Sequence, residues 1–206
     1  GMATQRRLFA ERLDDRRPDT LLLLEHPPTI TLGKRATAAD LRRSPSELAR
    51  SGVAVFHVGR GGAATAHAPG QLVGYPIVRL GRGGRSVRQY VAGLEEVLCA
   101  AAARFGVAAG TRRDHPGVWV GEAKLASIGV EVHRGVSLHG FALNVDMDLA
   151  VFAAIVPCGL PELVPTDLSR ACGVRVSVAD AAAAVIAAWR ERFGDIEEED
   201  PNERSG

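Results

Sequence analysis

This chain of 206 residues lacks the features that mark most simple functions. Cysteine is scarce. Cys99, Cys158 and Cys172 make an odd number without zinc-finger spacing, which excludes a disulfide framework and fits a reduced, cytosolic setting. None of the histidines, His26, His57, His67, His115, His133 and His139, has another at i+4, so no metal site is expected. Long hydrophobic runs are absent. The longest run of leucine, isoleucine or valine is Leu21 to Leu24, against the roughly 20 residues a membrane span needs. An excess of one charge is absent too. The net charge is +1 and the arginines are spread without interleaved aromatics, so neither a nucleic acid nor a membrane is expected as a partner. Glu11, Asp14 and Asp15 argue against a transit peptide, no apolar stretch resembles a secretory signal, and Gly1 before Met2 reads as a cloning scar.

What is present is ordinary for a folded domain: 46% hydrophobic and 24% charged residues, long enough for a substantial core. We read residues 1–194 as a single catalytic domain and 195–206 as an acidic, solvated, disordered tail.

Residues 5–16 read as a short polar helix, and Leu21–Glu25 and Thr29–Leu32 as strands flanking Pro27-Pro28. Ser44-Pro45 opens a helix that Gly52 ends. Residues 53–58 and 72–78 read as strands, with a glycine-dense loop after the first. Ser86 caps the clearest helix, whose apolar positions Tyr90, Leu94, Val97, Leu98, Ala101 and Phe105 keep helical spacing. Strands follow at 118–120, 124–132 and 136–143, the last two joined by a turn at His133-Arg134-Gly135. Ser177 with Asp180 caps a final helix buried through Val185 and Trp189. Strands in the middle with helices around them give an α+β (mixed α/β) class.

Three features carry chemistry. Cys158 stands between Pro157 and Gly159, on a backbone that resists regular structure and can present a thiol at a pocket edge. Such a thiol needs a neighbouring cation or base to become a thiolate. Lys124 is the second feature. By strict alternation it shares a face with Ala126, Ile128, Val130 and Val132 and is aimed toward an apolar interior. There it either carries protons, because burial disfavours its charged form, or reaches solvent from the strand end. The third is the loop from Gly59 to Pro76, where small residues around His67 let backbone approach a ligand. It matches neither nucleotide-binding glycine pattern.

In order along the chain, Leu24-Glu25-His26-Pro27-Pro28, Arg60-Gly61-Gly62 with Thr65 and His67, and Pro69-Gly70-Gln71 through Tyr75-Pro76 resemble the lipoyl(octanoyl) transferases. So do Gly117-Val118-Trp119-Val120, Lys124 with Ser127-Ile128-Gly129-Val130, His139 through Val145, and Ile155-Val156-Pro157-Cys158-Gly159. The resemblance implies a mixed sheet packed on helices, as in biotin and lipoate protein ligases. It implies transfer of an octanoyl group, without a cofactor, from octanoyl-acyl carrier protein to a lysine. The acceptor would be a lipoyl domain of an E2 subunit or the glycine cleavage H protein. Cys158 would take the acyl group as a thioester and Lys124 would activate the thiol. Arg60, Gly61, Gly62, Ala63, Ala64, Thr65, Ala66 and His67 would line the acyl site, with Ser127, Ile128, Gly129, Gly140, Phe141 and Ala142.

The family carries an aromatic where this chain has Ala66 and a glycine where it has Ala68. A ring missing from the pocket at Ala66 implies tolerance of acyl chains longer than eight carbons. Two other enzymes stay open: an ATP-consuming ligase, against which the Cys158–Lys124 pair speaks, and a thioesterase. So does a non-catalytic acyl-binding protein of the same fold. His139 either lines the pocket or orients a loop.

Overall fold

Ser44 and Ser86 each form a capping box with the residue three positions on, Glu47 and Gln89, and the Ser177 hydroxyl accepts from the Asp180 N–H. These caps satisfy orphan N–H groups at the helix starts. They fix α2 (Pro45–Arg50), α3 (Val87–Ala103) and α5 (Val178–Phe193). The computed structural model describes residues 1–80, 86–157, 159 and 162–199. The N-terminal helix α1 spans Met2–Leu13, earlier than expected, because Asp15 takes a positive φ of 55° that a helix cannot continue through. A short α4 covers Leu168–Cys172.

The strands are β1 (Thr20–Leu24), β2 (Thr29–Leu32), β3 (Ala54–His57), β4 (Ala64–His67) and β5 (Gln71–Ile77). They continue as β6 (Gly110–Thr111), β7 (Gly117–Val120), β8 (Ala123–His133), β9 (Val136–Asn144) and β10 (Glu197–Glu199). Seven form one sheet in the order β10-β1-β5-β9-β8-β7-β6, antiparallel except for the β1–β10 pair. The β8–β9 hairpin is the expected one. α3 and α5 cover one face, burying Tyr90, Leu94, Leu98, Val185 and Trp189 against Leu72, Ala126 and Leu143. Each large side chain so buried contributes about 1.5–3 kcal/mol.

A second sheet, β3-β2-β4, has its own core of Ile30, Leu32, Leu48, Ala64, Ala66 and Phe152. β4 is a correction, since its residues read as part of a loop. Alanine and glycine around it hide the alternation, but Ala64 to His67 pair in full register with β2.

The tail is a second correction. Ile196 is buried, and Glu197–Glu199 runs parallel to β1 instead of standing free in solvent. Three successive glutamates would repel one another, but arginines from elsewhere meet them. Arg17 reaches both Glu197 and Glu199 at 2.5 Å, Arg190 pairs with Glu198 at 2.9 Å, and Arg7 pairs with Glu199. Residues 200–206 lie outside the described residues.

A third correction concerns Lys124. Pairing along β7–β8 passes from Val118↔Ala126 to Trp119↔Lys124, so Leu125 is an extra residue. Gly117 and Trp119, two apart, share a face, and so do their partners Ser127 and Lys124. The bulge thus moves Lys124 off the helix-covered face of Ala126 and onto the opposite one.

Candidate active site

That opposite face is built from small side chains. Val73, Ala142 and Ser127 pair across β5, β9 and β8, and Gly140 pairs with Gly129. Their smallness leaves space above the sheet. A Cβ on Gly140 would stand 2.2 Å from the Gly74 carbonyl oxygen, so this close approach of strands requires glycine. Facing the floor, β2 and β4 present Thr29, Thr31, Thr65 and His67, while alternate residues fill the small sheet's own core. Between them lies a cavity of about 440 Å³, within the usual range for small-molecule sites.

Most of the expected residues line it: Arg60, Gly62, Ala63, Ala64, Thr65 and His67 from one side, and Ser127, Ile128, Gly129, Gly140, Phe141 and Ala142 from the other. Gly61 and Ala66 do not. Gly61 instead donates its N–H to the Val130 carbonyl, tying the glycine loop to β8. Ala66 is fully buried in the small sheet's core, where alternation between Thr65 and His67 puts it. A ring there would not cap the pocket. The wall also takes in Thr31, Tyr75, His26 and Phe56, which the sequence reading had not placed in the acyl site, and His139, for which it had left two roles open. The alternation of β4 is the signal that would have kept Thr65 and His67 while excluding Ala66.

Arg60 is almost fully buried. Its Nε and Nη2 donate to Thr31 Oγ1 at 3.2 and 2.9 Å, and Nη2 also donates to the Thr31 carbonyl at 2.5 Å. Thr31 Oγ1 lies 3.4 Å from His67 Nε2, and His67 Nδ1 lies 2.8 Å from Gln71 Oε1. Burial pulls His67 down to about 4, nearby His26, Arg60 and His139 add to it, and the Gln71 bond opposes. Burial likewise lowers His139 to about 4, with Arg60 and Lys34 adding and Glu131 opposing. His139 sits at φ 58°, a left-handed conformation costly for a residue with a Cβ. Its N–H donates to Gln5 Oε1 of α1 at 2.9 Å. Tyr75 Oη meets His26 Nε2 at 2.7 Å, and burial raises Tyr75 to about 12. At neutral pH His67, His139 and Tyr75 are therefore uncharged, and Arg60 keeps its charge among them.

Lys124 is buried at 4% exposure. Its Nζ donates to the Pro116 carbonyl at 3.1 Å and lies 5.1 Å from the Trp119 ring centroid. Glu95 of α3, half-buried, accepts from the Gly117 N–H at 2.8 Å; burial raises its pKa, while that bond and Lys124 pull it back. Cys158 lies outside the described residues, but its neighbours do not. Pro157 bridges to Ala64 at the start of β4, and Gly159 takes φ 71°. Further on, Pro165 bridges to Lys124, whose N–H donates to the Val164 carbonyl and whose carbonyl accepts from the Thr166 N–H.

Lys124 does not itself line the cavity but sits over Gly117, the strand partner of the lining residue Ser127, and the small-residue floor makes the cavity an enzyme cleft suited to a slender apolar group. Residues 1–190 match the lipoyl protein ligase A/B catalytic domain, and the chain belongs to that family. Within it the chain is similar to an octanoyltransferase of Chloroflexus aurantiacus, 48% identical over 192 residues, covering 92% of this chain and 86% of that protein. An octanoyltransferase of Geobacter sulfurreducens is 46% identical over 203 residues, covering 98% and 83%. Among solved structures, lipoate-protein ligase A bound with ATP has a TM-score of 0.76 at 20% identity, covering 95% of this chain and 83% of that one. A bipartite lipoate protein ligase from Thermoplasma acidophilum gives 0.75 at 18%, covering 95% and 82%. These structures share the fold, as the sequence resemblance implied.

Proposed function

We propose that the chain is an octanoyltransferase of protein lipoylation. It moves an octanoyl group from the thioester of an acyl carrier protein to a lysine of a lipoyl domain, in an E2 subunit or a glycine cleavage H protein, through an acyl thioester on Cys158. The observation that carries this reading is the buried Lys124, placed by the β8 bulge on the same face as the cavity floor.

In the first half-reaction Lys124 takes the Cys158 proton, and the thiolate attacks the donor carbonyl. The new C–S bond forms, the donor C–S bond breaks, and the carrier thiolate recovers the proton from Lys124. In the second, the acceptor amine attacks the acyl-cysteine. A C–N bond forms, the Cys158 thiolate leaves, and Lys124 accepts the amine proton. The two thioesters are close in energy, so the amide product draws the sequence forward. The alkyl chain lies along Ala142, Ser127 and Gly129, where each buried methylene contributes about 0.8 kcal/mol.

A free thiol nucleophile fits a reducing cytoplasm, and among the described residues no helix is long and apolar enough to cross a membrane. Intact-mass spectrometry after mixing with octanoyl carrier protein tests the reading. One octanoyl group should appear on Cys158 and then pass, without ATP, to a lipoyl-domain lysine. Absence of the adduct, a need for ATP, or release of free octanoate would each overturn it.

A further inference from the structure

Gln71 and Asn144 face each other across β5 and β9 and are buried at 1% and 4% exposure. Neither lines the cavity itself, and the proposed chemistry uses neither. Asn144 Nδ2 donates to the Thr166 carbonyl at 2.8 Å. Gln71 Nε2 donates to Asn144 Oδ1 at 2.9 Å and to the Ala66 carbonyl at 3.2 Å. Gln71 Oε1 is left as the acceptor facing His67 Nδ1 at 2.8 Å.

The polarity of this chain is forced from its ends. Carbonyl oxygens of Thr166 and Ala66 only accept, which orients both amides. The Gln71 oxygen then requires a proton on His67 Nδ1, so Nε2 is an acceptor. Thr31 agrees: its hydroxyl takes both Arg60 bonds and turns its own proton toward Nε2. At the far end, the Thr166 N–H donates to the Lys124 carbonyl at 2.9 Å. One run of hydrogen bonds thus joins the glycine-loop arginine to the backbone of the buried lysine.

We propose that Gln71 and Asn144 are positioning residues for the transfer reaction, a two-amide bridge that holds His67 in its Nδ1–H tautomer and seats the Pro165–Thr166 segment against Lys124. The Lys124 half of this inference rests on the function proposed above; the His67 half does not. Amides suit the task because each must donate at one end and accept at the other. A carboxylate of the same shape would set acceptor against acceptor: Gln71→Glu toward Ala66 and Asn144, Asn144→Asp toward Thr166.

The test uses the full chain. Ring nitrogen shifts from ¹⁵N NMR near neutral pH should show His67 as the Nδ1–H tautomer, and in Gln71→Glu the ring should protonate at higher pH. For Gln71→Glu and Asn144→Asp, acylation by octanoyl carrier protein should lose roughly tenfold or more in kcat with KM within about twofold. A wild-type His67 found as the Nε2–H tautomer overturns the bridge, and this readout stands even if both variants fail to fold. Folded variants acylating at the wild-type kcat overturn it as well. A wild type that is never acylated sinks the thioester reading instead, and the tautomer then decides the bridge on its own.

Discussion

Gly117 leaves the space that Lys124 fills: a methyl group on Gly117 would stand 2.7 Å from Lys124 Cε and 2.4 Å from the Ala126 carbonyl oxygen. Gly117 also has φ 133°, which an L side chain rarely adopts. The β8 bulge and this missing side chain together make the lysine's berth. Gly117→Ala is expected to cost about 1–3 kcal/mol of stability and to lower transfer by roughly tenfold or more, because the carbonyl cannot yield and the lysine must. Gly110→Ala, whose Cβ would meet nothing within 4 Å, is the matched control and should change neither. Thermal melts and transfer assays on both variants check this.

Lys124→Arg should be nearly as inactive as Lys124→Ala. Arginine keeps the charge but does not give up a proton at working pH. Its larger planar head must also share the small space beside Gly117 and the Pro116 carbonyl. Recovery of activity by arginine would make the residue a fixed charge and remove it as proton carrier.

Cys158→Ser should lose transfer while keeping the melting temperature, since an alkoxide forms far less readily than a thiolate. Cys99 and Cys172 are poor substitutes. Burial and the nearby Glu95 and Glu96 raise the Cys99 thiol, and the Cys172 Sγ points at the Ser169 and Val174 carbonyls. Cys99→Ser and Cys172→Ser should each keep most activity, and site-resolved mass spectrometry should find the acyl group on Cys158 in both.

Periodicity made the long elements legible: the Ser86-capped helix, the β8–β9 hairpin and the Trp189 helix all lie where their apolar spacing put them. β4 was hidden because alanine fills its inward positions and carries little hydrophobic signal. Alternation also misled at Lys124. A one-residue bulge inverts every side chain beyond it, and nothing in Lys124-Leu125-Ala126 announces an extra residue. The tail misread has a different cause. Glu197 to Glu199 looks self-repelling in isolation, and Arg7 and Arg17, which neutralise it, lie some 180 or more residues away in sequence. Most of the site was legible as small residues around His67 and in the Ser127 and Gly140 segments. Ala66 was placed wrongly because its environment depends on a strand that had not been recognised.

Acid should weaken the fold through the buried imidazoles. His67 has a folded pKa of about 4 against an ordinary value of 6.5, so the unfolded chain binds more protons between those values. Stability then falls as pH drops from about 6.5 and the loss levels off below about 4. At about 1.36 kcal/mol per unit, His67 alone accounts for up to about 3 kcal/mol. His139 acts in the same direction. Urea midpoints measured from pH 7 to 4 should show a shallower decline in His67→Gln than in wild type. Parallel curves would show that His67 does not carry this linkage.

Acyl length should respond to Ala142 and not to Ala66. Ala142 lies on the cavity floor between Val73 and Ser127, so Ala142→Leu puts added carbon where the alkyl chain lies. Room for two or three methylenes would be lost, each worth about 0.8 kcal/mol, and preference should move from eight-carbon toward six-carbon donors. Ala66→Tyr instead drives a ring into the packed core with Ile30, Leu32 and Phe152. It should cost about 1–3 kcal/mol or more in stability and leave the length profile of the surviving folded protein unchanged. Competition between six-, eight- and ten-carbon carrier-protein donors, run on wild type and both variants, separates the two positions. A profile narrowed by Ala66→Tyr and untouched by Ala142→Leu would mean that the acyl chain does not lie on the Ala142–Ser127 floor.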